Sequence, residues 1–270
     1  MWLLLLLIPL TSAYHQTDDI LQLIKTECDI TPELSYYMHD DILVVDWKKD
    51  LEPGVLWAFN EHARERITAE LALEMILNLK ELNPPGRVTI IPIVNVWGRK
   101  QVEGGKRCQR KNKNDVDTNR NYPQKVLHHY SEYSQEYEGK TPLSEKETKL
   151  VSSLIKGSKR YINVHSGEFS LYMPWDSILD RPPNYEKMKQ TLKEYSKYCK
   201  ECTVGPAALK SFYKAYGSSV DYATTLGVEA YTFEIFGSNH WDCDRMFNPS
   251  GTEYRKVLDQ WKKIMALTLQ

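Results

Sequence analysis

Two polar clusters stand where apolar runs stop. Glu61-His62-Ala63-Arg64-Glu65 follows Trp57-Ala58-Phe59, and His165-Ser166 follows Tyr161-Ile162-Asn163-Val164. His62 and Glu65 are three residues apart, so on a turn or a first helical turn both side chains can face one way. A third ligand from a distant strand, His165, would complete a set of two histidines and one carboxylate. Such a set leaves a coordination position open for water and belongs to catalytic rather than structural zinc. By itself, His-x-x-Glu also describes a solvated pair at the start of a helix, so its meaning depends on what accompanies it.

The elements that must position these residues follow from hydrophobic period. Val55 to Phe59 and Tyr161 to Val164 read as short buried strands, and the carboxyl ends of such strands are where doubly wound sheets build their sites. Thr68 to Leu82 repeats Leu71, Met75, Leu79 and Leu82 on one face and is predicted as an amphipathic helix stopped by Pro84-Pro85-Gly86. Val88 to Val96 is nearly continuous in apolar and β-branched residues. Strand, helix and fully apolar strand in succession predict a βαβ unit in a sheet covered on both faces. Further helices are expected over Asp18 to Glu27, Ser144 to Ile155, Tyr185 to Tyr198, Ser218 to Leu226 and Tyr254 to Leu267, with strands at Ile42 to Val45 and Ala230 to Ile235. Gly98 to Tyr122 is polar, carries Gly104-Gly105 and is expected to be a long surface excursion of the kind that carries function. The fold class expected is a single α/β domain with a mixed, mostly parallel twisted sheet and helices on both faces.

With 41% hydrophobic residues in 270, the chain can bury one large core. Lys plus Arg number 35 against 36 Asp plus Glu, and the net charge of -1 offers no field for nucleic acid or an anionic membrane. Met1 to Ala13 reads as a signal peptide cleaved after Ala13, too short to span a bilayer, with an uncleaved interfacial anchor as the alternative. Residues 14-270 are then the mature domain, with no stable membrane insertion and an oxidising destination, outside the cell or in the lumen of a secretory or lysosome-like compartment. Cys28, Cys108, Cys199, Cys202 and Cys243 make an odd set, which leaves one thiol unpaired unless it joins another chain. Disulfide bonding is expected, with connectivity open and Cys28 as the guess for the free thiol.

From Tyr14 to nearly its end the chain resembles the carboxypeptidase A type of zinc metallocarboxypeptidase. His62-Ala63-Arg64-Glu65-Arg66-Ile67-Thr68 looks like the family's first zinc motif, and Ile162-Asn163-Val164-His165-Ser166 like the strand bearing the third ligand. Arg110-Lys111-Asn112 and Asp117-Thr118-Asn119-Arg120-Asn121 match its substrate-binding blocks. Tyr213, Gly217-Ser218-Ser219-Val220-Asp221-Tyr222 and Thr232-Phe233-Glu234 complete six blocks in family order.

The resemblance implies one zinc ion per chain on His62, Glu65 and His165, with Glu234 as the general base acting on water and Arg110 as the donor to the oxyanion. Asn119, Arg120 and Tyr213 correspond to the group that binds a free C-terminal carboxylate, for which a planar guanidinium is suited. Arg64 corresponds to a contact further along the substrate, and Asp117 to an acid behind a zinc histidine, here His62. His15, His39, His128, His129 and His240 lie outside every motif and are read as surface or packing residues.

Removal of C-terminal residues from peptides or proteins by a monomer is the activity this implies. The family's deciding side-chain position matches Val220, whose apolar floor predicts hydrophobic or aromatic terminal residues. Because Tyr14-His15 resembles the start of a mature catalytic domain, activity without removal of an inhibitory pro-segment is also expected. A silent peptide-binding relative and an enzyme of bacterial cell-wall peptides are the competing readings.

Overall fold

Leu56 to Phe59 is wholly buried and forms the middle of the sheet. The structure, a computed structural model, describes residues 14-270, so the expected leader lies outside the described residues. The strands are β1 (Leu34–His39), β2 (Ile42–Trp47), β3 (Val55–Phe59), β4 (Val88–Ile91), β5 (Arg160–His165), β6 (Glu168–Met173), β7 (Thr203–Pro206) and β8 (Glu229–Phe236). They form one eight-stranded sheet in the order β1-β2-β4-β3-β5-β8-β6-β7. β4, β3, β5 and β8 run parallel, as do β6 and β7; β1 with β2, β2 with β4 and β6 with β8 are antiparallel.

The helices are α1 (Thr17–Ile30), α2 (Arg66–Leu82), α3 (Val96–Glu103), α4 (Lys146–Ile155), α5 (Tyr185–Tyr195), α6 (Ala207–Lys210), α7 (Ser219–Thr225), α8 (Cys243–Phe247) and α9 (Gly251–Leu267). α2 packs against α1 and α9, and α4 against α7, so the sheet is sandwiched between two helical layers. From β3 the chain crosses through α2 to β4 on one side and later returns to β5 on the other. This reversal opens a crevice at the carboxyl ends of β3 and β5, the place where open α/β sheets bind ligands. Thus the expected fold class holds.

Two expectations need correction. The strand from Val88 stops at Ile91, because Pro92 has no N–H for the ladder, and Asn95 instead caps α3 by accepting from Gly98 N at 2.9 Å. Nor is Gly98 to Tyr122 a surface excursion: it begins in α3, and Arg110, Lys111, Asn112 and residues 116 to 122 are buried. Their polar groups find partners inside, as when Asn112 Nδ2 donates to Glu145 at 2.8 Å and Glu147 at 3.1 Å. α2 ends as expected before the prolines, with Asn83 left-handed at φ 41° and its N–H on Leu79 O. Disulfides join Cys108 to Cys243 and Cys199 to Cys202, while Cys28 is free and buried.

His15 packs onto α2, where buried Glu70 accepts from His15 N at 2.9 Å, pairs with His15 Nδ1 at 2.7 Å and accepts from Tyr254 Oη at 2.9 Å. The hydrogen bond to Glu70 raises the imidazole above the usual histidine range, against the opposing effect of burial. A raised folded-state pKa means the contribution is fully present below the unfolded value of about 6.5. It is lost as pH rises through the folded value. We expect His15→Gln to lower the melting temperature at pH 5 to 6 and to have little effect at pH 9. An equal loss at both pH values would mean that packing alone matters.

Candidate metal centre and substrate cleft

Asn60, in the left-handed conformation at φ 52°, turns the chain out of β3. Its Nδ2 donates to His62 O and Glu65 O at 3.0 Å each, and Thr68 Oγ1 donates to Glu65 O at 2.8 Å. The turn is therefore held by its own side chains before α2 begins, and it presents His62 and Glu65 on one side.

His62 Nδ1 lies 2.8 Å from Glu65 Oε1, and His165 Nδ1 lies 3.0 Å from Glu65 Oε2, which also accepts from Ser166 N at 3.1 Å. One ligand atom from each of the three residues lies within 4.8 Å of the others, and all three residues are buried. Behind His62, Nε2 meets Asp117 Oδ1 at 3.1 Å; Asp117 Oδ2 accepts from Arg110 Nε at 2.8 Å and sits 2.7 Å from Arg110 Nη2. Burial would raise Asp117, but Arg110 and His62 outweigh it and hold the carboxyl well below the usual range.

This arrangement tests the fit to a cation. Asp117 is an acceptor that keeps the His62 proton on Nε2, so the Nδ1 lone pair faces a carboxylate oxygen at hydrogen-bond distance. Two lone pairs converging in a buried place call for a shared cation or an extra proton. Two imidazole nitrogens and a carboxylate suit zinc in charge and softness.

Glu234, on β8, is the register partner of His165 on β5, which brings the carboxylate beside the ligand set. Its Oε2 is buried without a protein partner. Burial pushes the carboxyl well above the usual range; His165 opposes this and Glu65 and Glu168 add to it.

Arg120 is 2% exposed. Its Nη1 donates to Asn119 O at 2.9 Å, while Nη2 reaches Glu136 Oε1 at 3.2 Å and Tyr213 Oη at 3.4 Å; its Nε has no partner. Asn119 Oδ1 accepts from Ser219 N at 2.9 Å, leaving its Nδ2 at 3.2 Å from His165 Nε2. Gly217 makes the close approach possible. At φ +77°, it lies so near Arg120 that an added Cβ would stand 2.1 Å from Arg120 O.

A small cleft, about 60 Å³ in volume, connects these groups and is lined by His62, Asn119, Arg120, His165, Tyr213 and Glu234 among others. Arg110 adjoins it through Asp117. Arg64 stacks its guanidinium 4.3 Å from the Phe247 ring and is lowered below the usual arginine range by burial and by Arg110. Val220 is the exception. It is 1% exposed, belongs to the core cluster from α7 and is not among the residues lining the cleft, which include Tyr172, Asp176, Ala207 and Ala215. Apolar alternation at Phe169, Leu171 and Met173 could have identified β6, the strand that leads into this wall.

A family model described as zinc carboxypeptidase matches residues 41-260. Rat carboxypeptidase B is 25% identical over 225 residues, covering 72% of this chain and 54% of the relative. Rat mast cell carboxypeptidase A is 34% identical over 109 residues, covering 37% of this chain and 26% of the relative. The chain thus spans about half, or less, of the length of these curated relatives. Among solved structures, bovine thrombin-activatable fibrinolysis inhibitor in complex with tick carboxypeptidase inhibitor has TM-score 0.82 at 22% identity, over 96% of this chain and 97% of that one. Carboxypeptidase A of Helicoverpa armigera has TM-score 0.74 at 18% identity, over 94% and 74%. These two share the fold.

Proposed function

Because the chain belongs to the zinc carboxypeptidase family, we propose that it hydrolyses the last peptide bond of peptides and proteins, releasing C-terminal residues one at a time. The observation that carries this reading is the placement of a buried, under-bonded Arg120 fork in one cleft with Glu234 and with His62 and His165, the two histidines that Glu65 joins. Metal ligands with a nearby carboxylate would serve any zinc hydrolase. A buried guanidinium next to them rewards a substrate that ends there.

On this reading the terminal carboxylate takes the donors of Arg120, displacing Glu136, while Tyr213 and Asn119 flank it. The scissile carbonyl is then held toward His62, Glu65 and His165. Bound there, zinc would supply Lewis acidity to the carbonyl and acidify the attacking water. Glu234 accepts a proton from that water as oxygen attacks carbon, and returns it to the departing amine as the C–N bond breaks. Arg110, kept charged and oriented by Asp117, donates to the oxyanion. Arg64 meets the substrate further from its end.

Substrates are peptide termini; neither nucleic acid nor a stable partner chain is invoked, and the unit acts as a monomer over residues 14-270. Two disulfides suit an oxidising setting, outside the cell or within a secretory lumen. Among the described residues no helix is long and apolar enough to cross a membrane.

Chelation provides the direct test. Dialysis against a zinc chelator should abolish release of C-terminal residues, and one equivalent of zinc should restore it. Glu65→Gln should lower bound zinc to well under one per chain by elemental analysis. Full activity in chelator would refute the metal role.

A further inference from the structure

Glu61 opens the polar cluster that carries two of the metal ligands, yet it has no part in holding substrate or moving a proton. It is 1% exposed, and both carboxylate oxygens are met by neutral donors. Oε1 accepts from Tyr122 Oη at 3.2 Å and Oε2 from Asn163 Nδ2 at 2.7 Å. Among the described residues no lysine or arginine pairs with it; its one basic neighbour is His165, whose Nε2 lies 4.0 Å from Oε2. A carboxylate buried among neutral donors is costly unless positive charge lies near it.

The surroundings of His165 supply a use for this group. Nδ1 faces Glu65 Oε2 at 3.0 Å on the ligand side, and on the other side Nε2 lies 3.2 Å from Asn119 Nδ2. Asn119 cannot turn its oxygen that way, because Oδ1 already accepts from Ser219 N at 2.9 Å and from Ser219 Oγ at 3.1 Å. Tyr161 Oη and Asn163 Nδ2 both donate to Ser219 Oγ, at 3.1 and 2.8 Å, which leaves the serine proton for Asn119. The group that Asn119 presents to His165 is therefore a donor. An imidazole that gives its Nδ1 lone pair to a metal carries its proton on Nε2, where Asn119 has nothing to accept it. The acceptor beside that proton is Glu61 Oε2. His62 is served in the same sense by Asp117 Oδ1 at 3.1 Å from its Nε2.

We propose that Glu61 is a positioning residue for the metal centre: its carboxylate attracts the Nε2 proton of His165, holds the imidazole in the tautomer whose Nδ1 is free for a metal, and so tightens metal binding. The separation of 4.0 Å is an ion-pair distance, and between two buried groups a charge acts across it with little screening. Asn163 fixes where the carboxylate stands, since its Nδ2 reaches both Glu61 Oε2 and Ser219 Oγ. The inference rests on the zinc reading of the site but not on turnover.

The test measures zinc affinity by competition with a chromophoric chelator, beside thermal melting of the metal-free protein, for wild type, Glu61→Gln and Glu61→Asp. Gln keeps the size and can still meet Asn163 and Tyr122, but it lacks the charge. Its zinc Kd should be about 10- to 100-fold weaker than that of wild type, the cost of losing the partner behind a metal ligand. Its metal-free melting temperature should be unchanged or higher, because a buried carboxylate has been removed. Asp keeps the charge on a shorter arm and should bind zinc more tightly than Gln does. Weakened zinc binding without loss of metal-free stability separates positioning from packing. A zinc Kd for Glu61→Gln equal to that of wild type would overturn the assignment and leave the metal reading intact. Zinc binding weaker in Asp than in Gln would show that size and not charge matters, and would also overturn it. A wild type that takes up no zinc would remove the metal reading itself.

Discussion

Replacing Glu234 by Gln should lower kcat by about 1,000- to 10,000-fold, in the upper part of the range for loss of a positioned general base. The amide has the same size, and the residue lies on β8 in register with His165, so packing and the metal ligands are left in place. Zinc content should stay at one per chain and KM for a free-acid peptide should change little. Stability should be equal or slightly higher, since the variant removes a buried carboxylate with an unpartnered oxygen. Together these readouts separate a proton-transfer role from a structural one: a kcat within tenfold of wild type would show that another group takes the water's proton.

The second large effect is expected at Arg120. Wild type should cleave a peptide with a free C-terminus far faster than the same peptide with a terminal amide. Arg120→Met should reduce kcat/KM for the free acid by about 30- to 5,000-fold, the range for removing one partner of a buried charged pair. The slow cleavage of the amide should hardly change. Arg120→Lys keeps the charge but loses the planar fork, and should recover only a small part of the loss. Glu136, now facing Arg120 Nη2 at 3.2 Å, is 31% exposed at its side chain and can return to water when a substrate carboxylate arrives or when the arginine is gone. If Arg120→Met still preferred the free acid, terminus recognition would have to lie elsewhere, with Arg64 the next cation to examine.

Much of this site could be read from local sequence because local rules build it. The apolar runs of β3, β5 and β8 and the stripe of α2 are strong periodic signals, and His62, Glu65 and His165 fall at their ends. What joined them was not local. The pairing of His165 with Glu234 depends on β8 lying next to β5 across more than sixty residues, and only the resemblance, not any periodicity, pointed to Glu234. The basic stretch around Arg110 and Arg120 looked like solvated loop because polarity in sequence reports nothing about long-range partners such as Asp117 and Glu136. Position 220 is a different case. The family's motif located the residue in the chain, and Val220 lies in the core on α7, while Asp176 after β6, a strand whose short mixed pattern gave a weak signal, lines the cleft.

Gly217 carries a consequence for how such chains diverge. Its left-handed backbone and its approach to Arg120 O exclude every larger residue, whatever happens at the metal. Selection on hydrolysis and selection on grip therefore fall on different positions. A descendant that gave up chemistry but still held peptide ends could change Glu234 freely and yet remain bound to glycine at 217. One that lost both would be drifting without either duty, so this glycine distinguishes a retired enzyme turned receptor from one in decay.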